Sequence, residues 1–150
     1  MHVILLPGGG GTFVFDSAAS QPMLAAAGGG GAGVASSNVA FWGRPGSSST
    51  NGSWCYVGCA GGTEGQGAVQ TQANNGGPGG GWMSSSFCTI SRQVCGSGRD
   101  STFAGGFQWQ AGFAEGGFGG GGAATSSGGG GGGFSGGGGG SVIASPRPQA

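Results

Sequence analysis

Residues 116–140 read GGFGGGGAATSSGGGGGGFSGGGGG, and almost everything there that is not glycine is Ala, Ser, Thr or Phe. Glycine loses more backbone entropy on ordering than any other residue and brings no side chain to a core. Such a stretch is therefore either a flexible linker or a segment whose backbone groups find partners that offset the cost. Its context favours the second reading. Glycine blocks at residues 8–11, 28–31, 79–81, 119–122, 128–133 and 136–140 punctuate the whole chain, with apolar runs between them. A glycine run can adopt the extended polyproline-II conformation, with three residues per turn and no internal hydrogen bonds. Without side chains in the way, several such rods can lie in contact and bond to one another, each bond contributing roughly 1 kcal/mol net. Six residues at ~3.1 Å make a rod of about 19 Å, long enough to cross a small domain. Phe118 and Phe134, each alone in a glycine block, are the candidates for wedging this bundle against the rest of the fold.

The runs between the blocks read as strands. HVILL, TFVF, PMLAAA, NVAFW, WCYV, FQWQAGF and SVIA are short, rich in β-branched or aromatic residues, and bounded by Gly, Pro, Ser or Asn, the pattern of an all-β domain. In Phe107–Ala111 apolar and polar residues alternate with period two, which gives a strand one apolar and one polar face. The one helix candidate is SSSFCTISRQVC, residues 84–95, where Phe87, Ile90 and Val94 fall at helical spacing behind serines able to cap. If that segment is helical, Cys88 and Cys95 lie about 10 Å apart, beyond disulfide reach, and must pair with Cys55 and Cys59. If it is a loop, the local pairs 55 with 59 and 88 with 95 also become open, and spacing alone does not choose. A zinc site is disfavoured by the C-x3-C and C-x6-C spacings.

Composition restricts function more than it suggests one. The 150 residues include 44 glycines, four Arg, no Lys, four acids and one His, for a formal net charge of zero. No basic patch exists to neutralise phosphates, so nucleic acid is not an expected partner. Four cysteines in a small domain point to an oxidising, extracellular or cell-surface location, and Asn51-Gly52-Ser53 is an N-glycosylation acceptor sequence. The apolar run at residues 3–6 is too short for a signal peptide, and no segment has the length of a membrane span. The chain is thus expected to be one glycine-rich domain, residues 1–150, that is a piece of a longer extracellular protein, touching a membrane only through that parent.

Catalytic and cofactor motifs fail when tested one by one. Gly28–Gly33 satisfies G-x-G-x-x-G, but at this glycine content the pattern arises by chance, and neither a helix nor a suitably placed acid follows. Gly133–Gly137 spells G-x-S-x-G, but the sole histidine, His2, lies upstream where a nucleophile elbow needs it downstream. Without lysine there is no Walker-type phosphate loop and no kinase phosphate-binding lysine. Asp16, Glu64, Asp100 and Glu115 show no spacing suited to acid–base chemistry and are expected to be solvated or paired with Arg44, Arg92 and Arg99. No catalytic, cofactor-binding or metal-binding residue is assigned. Any Trp or Phe left exposed becomes the best interaction candidate.

PGGGGTFVFDSAASQPMLAAAGGGGAG, residues 7–33, resembles the opening of the glycine-rich extracellular domain of the anaplastic lymphoma kinase and leukocyte tyrosine kinase receptor family. GGPGGGWMS, TFAGG and GGFGGGGAATSSGGGGGGFSGG resemble that domain's closing pattern, whereas residues 34–75 and 84–100 match it least. The resemblance implies a β-sandwich reminiscent of tumour necrosis factor, with a packed bundle of polyglycine-II helices and little α-helix. It also implies a non-catalytic module that binds a protein ligand, within a parent chain that is a receptor protein-tyrosine kinase. The rival function is a self-associating structural or adhesive surface protein, which a neutral surface with exposed aromatics also favours. A disordered, phase-separating glycine and aromatic segment is the third reading.

Overall fold

The computed structural model describes residues 7–34, 40–41, 44–55, 58–71, 76–89, 94–107, 114–124 and 127–140. They form short strands and a large amount of ordered coil, with almost no helix. Strands β1 (Thr12–Val14) and β2 (Leu24–Ala26) make an antiparallel hairpin, and β3 (Gly33–Val34) pairs antiparallel with β4 (Ala40–Phe41). Strands β5 (Cys59–Ala60), β6 (Val69–Gln70) and β7 (Phe87–Cys88) form a three-stranded sheet with β6 in the middle, antiparallel to β5 and parallel to β7. A 3-10 turn spans Arg99–Ser101, and Val94 is also in 3-10 conformation.

The glycine blocks fill the interior. Residues 76–81, 119–124 and 128–133 are buried throughout, yet the buried apolar side chains that cluster among the described residues are the four of Cys88, Val94, Cys95 and Ala123. Backbone hydrogen bonds replace side-chain packing, and they recur at a fixed interval. Gly8 and Gly11 donate to the carbonyls of Gly122 and Gly119, Gly28 and Gly31 to Gly132 and Gly129, and Gly76 and Gly79 to Gly140 and Gly137. In each case the donor advances three residues while the acceptor retreats three, so the paired segments run antiparallel. Gly77 and Gly80 donate to Ala123 and Gly120 in the same manner, whereas Gly130 and Gly133 donate to Gly77 and Gly80, a parallel pair. Segment 76–81 is thus bonded on separate sides to 137–140, 120–123 and 130–133. A backbone with a threefold repeat offers donors in several lateral directions, where a strand offers two.

Close approach explains why these positions are glycine. A Cβ at Gly79 would fall on the carbonyl group of Gly131, and one at Gly139 on that of Gly76. The chain reverses at Phe118–Gly120, where Gly119 and Gly120 have φ of +95° and +87°. Their consecutive N–H groups both point at the Phe103 carbonyl, at 2.8 and 3.1 Å. Such left-handed values exclude most side chains, so this turn requires its glycines on conformational as well as steric grounds.

The strands follow the sequence in part. TFVF and PMLAAA contain β1 and β2, and NVAFW contains β4. Trp54–Cys55 and Phe107 lie outside any strand, and the remainder of WCYV and of FQWQAGF, with HVILL and SVIA, falls outside the described residues. The helix expected over 84–95 is corrected where its residues are described. Phe87–Cys88 is strand, because the N–H groups of Ser86 and Phe87 are drawn to the carbonyls of Gly96 and Ala68. Tertiary pairing with the glycine frame overrides the local helical spacing. Cys88 then reaches Cys95 at a Cα separation of 6.2 Å, and Cys55 reaches Cys59 at 5.5 Å, so both disulfides are local. Pairing of all described cysteines suits an oxidising, extracellular environment. Among the described residues no helix is long and apolar enough to cross a membrane.

Two alanine substitutions distinguish a packed backbone interior from loosely ordered coil. Gly79→Ala is expected to destabilise the chain by about 3 kcal/mol or more through overpacking against the Gly131 backbone. At Gly30 a Cβ meets nothing closer than 3.6 Å, so Gly30→Ala should stay within about 1 kcal/mol of the parent and lean towards stabilising. Denaturant unfolding of the two variants gives the comparison.

Candidate protein-binding surface

Hairpin β1–β2 is held to the glycine interior by one face. Phe13, half-buried, pairs with Ala25 across the ladder, and its ring stacks on Phe103 at 4.7 Å and tilts against Trp82 at 5.4 Å. Trp82 directly follows the 79–81 block and is fully buried. Its indole N–H donates to the Ser20 carbonyl at 2.8 Å, which ties the loop between β1 and β2 to the interior. Phe15 meets the same indole edge-on at 5.0 Å.

Arg99 completes the attachment. Its guanidinium donates to the carbonyls of Ala19 at 2.8 Å and Ser17 at 3.2 Å, and lies 4.8 Å from the Trp82 ring and 5.6 Å from the Phe15 ring. A planar, permanently charged fork can serve two carbonyls while stacking on aromatic faces, which an ammonium cannot reproduce. Phe103 is supplied by a strained turn, since Thr102 and Phe103 have φ of +66° and +54°. Left-handed geometry at a β-branched residue costs free energy. It persists here with the Phe103 N–H bonded to Gly98, its carbonyl bonded to Gly119 and Gly120, and its ring on Phe13 and Trp82.

The opposite face of the hairpin is apolar and exposed. Val14 and Leu24 are cross-strand partners whose side chains share this face, and they are 52% and 63% exposed. The loop's acid, Asp16, accepts from the N–H of Ala18 at 2.9 Å as part of the turn that shapes the loop. The three-stranded sheet repeats this sidedness: Gln70 and Cys88 are buried on one face while their neighbours Val69 and Phe87 lie exposed on the other. Two small sheets thus present apolar outer faces to solvent.

The residues singled out from sequence lie elsewhere. Phe134 is half-buried near Gly65. Phe118, however, is 79% exposed and does not wedge the glycine interior. It leads the Gly119–Gly120 turn, which carries its side chain outward, and Trp82, Phe13 and Phe103 perform the packing expected of it. Asn51 is exposed on a bend, its N–H bonded to the Ser49 hydroxyl and its carbonyl accepting from that same hydroxyl. Asp16, Glu64, Asp100 and Glu115 are exposed, in line with the solvated alternative; Arg99 makes the carbonyl and aromatic contacts above, and Asp100 accepts from the Ser85 hydroxyl. Arg92 lies outside the described residues.

Chance motifs are absorbed by the backbone network. In the 28–33 run, the N–H groups of Gly28, Gly30 and Gly31 are bonded to the carbonyls of Gly132, Arg44 and Gly129 and cannot cradle a phosphate. Ser135 is buried, donates to the Thr50 carbonyl and accepts from the Gly65 N–H, so its hydroxyl has a structural role. Among the described residues no cluster of His, Cys, Asp and Glu could hold a metal ion.

These features define a disulfide-bonded, helix-poor strand-and-coil protein with a glycine backbone interior and apolar outer sheet faces. No protein-family model, curated protein or solved structure matches the chain.

Sequence reasoning missed the Trp82–Arg99 attachment because Arg99 lies 80 residues from Ala19. The available signal was a large aromatic placed immediately after a glycine block. Arg99→Lys is expected to cost about 1–2 kcal/mol, through lost hydrogen bonding and stacking, and to speed amide exchange at Ala18 and Ala19. Trp82→Ala should cost about 3–5 kcal/mol in denaturant unfolding.

Proposed function

We propose that the chain is an extracellular, non-catalytic binding module similar to the ligand-binding glycine-rich domain of the anaplastic lymphoma kinase and leukocyte tyrosine kinase receptors. In this reading the glycine segments are polyglycine-II helices packed as a bundle, joined to strands arranged as a β-sandwich of the tumour necrosis factor kind. Support for the bundle comes from the three-residue interval of the inter-segment hydrogen bonds, the repeat of a polyproline-II backbone. The observation that carries the binding function is the outer face of hairpin β1–β2, where Val14 and Leu24 are exposed together on a frame fixed by Trp82 and Arg99. Exposed apolar clusters on a rigid support are where protein partners bind. With few charges on the chain, affinity rests on apolar complementarity rather than on electrostatic steering.

Self-association is the second reading, supported by the additional apolar face at Val69 and Phe87 and by zero formal net charge. It would make the chain a structural or adhesive surface protein.

A variant carrying Val14→Glu and Leu24→Glu tests the first reading, because both side chains face solvent and the fold should tolerate the change. Captured on beads, the parent chain is expected to retain a secreted or cell-surface protein that the double variant loses. Equal retention by both would overturn the assignment to this face. Sedimentation velocity over a hundredfold concentration range separates the alternatives: a constant monomer agrees with a receptor-type module, whereas growth in size that Val69→Glu abolishes favours self-association.

A further inference from the structure

We propose that the Cys55–Cys59 disulfide is a reducible clamp on the last glycine segment, residues 136–140, while Cys88–Cys95 is a permanent bridge of the interior. The two bonds occupy different surroundings. Cys88 and Cys95 are 7% and 9% exposed and belong to the buried cluster with Val94 and Ala123. Cys55 and Cys59 are only half-buried, Cys59 at the start of β5. An attacking thiolate must reach a sulfur along the S–S axis, so accessibility ranks the two bonds before any intrinsic difference does.

The clamp follows from what the bridged residues and their neighbours touch. Cys59 Sγ lies 2.9 Å from the Gly139 carbonyl oxygen. Ser53, two residues before Cys55, accepts from the N–H of Gly138. Gly62, three residues after Cys59, donates to the Gly136 carbonyl and accepts from the N–H of Gly52, which closes the strap around the segment. A Cβ at Gly138 would meet the Cys55 nitrogen at 3.3 Å and Cys59 Sγ at 3.5 Å, so the bridge lies directly against the rod. The far side of the same rod is held independently, by Gly76 and Gly79 donating to Gly140 and Gly137, and by Gly137 and Gly140 donating to Gly131 and Gly128.

Opening requires an external dithiol. Its thiolate attacks one sulfur, breaking the Sγ–Sγ bond, forming a mixed disulfide and releasing the other cysteine as a thiolate that takes up a proton. The second thiol of the reductant then displaces the bound cysteine, leaving two cysteine thiols and a cyclic oxidised reductant. Residues 52–55 are released from β5, which β6 still holds, and the bonds donated by Gly52 and Gly138 open while those of Gly62, Gly76 and Gly79 persist. A surface segment of the glycine interior is thereby loosened on one side only, as a function of the thiol potential outside.

Stepwise dithiothreitol reduction with maleimide trapping and peptide mass spectrometry, followed by amide exchange resolved at single residues, tests this. Cys55 and Cys59 are expected to be labelled at reductant concentrations that leave Cys88 and Cys95 unlabelled, with exchange at Gly52 and Gly138 accelerated at least tenfold and exchange at Gly79 unchanged. Cys55→Ser with Cys59→Ser should reproduce that exchange pattern without reductant. Labelling of Cys88 and Cys95 first or simultaneously would overturn the proposal. So would undisturbed exchange at Gly52 and Gly138, or a loss of protection in the double variant that extends to Gly79.

Discussion

The hydrogen bond from a glycine N–H to a glycine carbonyl on a neighbouring segment, repeated every third residue, is the interaction on which the remaining structure depends. It is weak singly, roughly 1 kcal/mol net, and it must offset the largest backbone entropy loss of any residue. Bonding of one segment on several sides at once makes that balance feasible. Residues 76–81 donate to 137–140 and 120–123 and accept from 130–133, while 128–133 also accept from 28–31 and 137–140. Removing any one segment would strip partners from several others, which makes the interior cooperative despite its few buried side chains. Steric exclusion enforces the arrangement, since a methyl group at Gly79 or Gly139 would occupy the space of a neighbouring carbonyl.

Strands and aromatics then attach at the margins. The strands have two or three residues each, and a two-stranded hairpin that small is not stable alone. Trp82, held at the end of a central glycine segment, supplies the missing stability by docking Phe13, Phe15 and the loop before β2. Arg99 fixes the same loop through its carbonyls while lying over the ring. This division of labour leaves the outer face of the hairpin without a core function, and there the chain exposes Val14 and Leu24. The two faces are therefore separable: one face of the hairpin holds the fold, and the other makes no contact the fold depends on.

The glycine interior was legible in the sequence because block length and spacing are properties of the chain alone. Strands β1 and β2 were legible for the same reason, as TFVF and PMLAAA carry β-branched or apolar runs bounded by turn residues. What escaped depends on contacts distant in sequence. Ile90 and Val94 match a helical spacing with Phe87, but the Phe87 N–H meets the Ala68 carbonyl and joins a sheet. The conditional argument that kept Cys88 from Cys95 fell with the helix at those residues, and the local bridge followed. Phe118 shared with Phe134 the look of an aromatic set in glycine, and nothing local revealed that left-handed Gly119 and Gly120 turn it outward. Arg99 read as an ion-pairing residue because sequence shows charges and not carbonyls. Its partners are backbone oxygens and ring faces.

Residue-resolved amide hydrogen exchange on the intact, oxidised chain tests the backbone interior most directly. The N–H groups of Gly76, Gly77, Gly79, Gly80, Gly130 and Gly132 all donate between segments in buried surroundings. They are expected to exchange slowly and together, with a common protection equal to the free energy of global unfolding. Exchange of these six amides at the rates of an unstructured glycine peptide would contradict a hydrogen-bonded glycine interior.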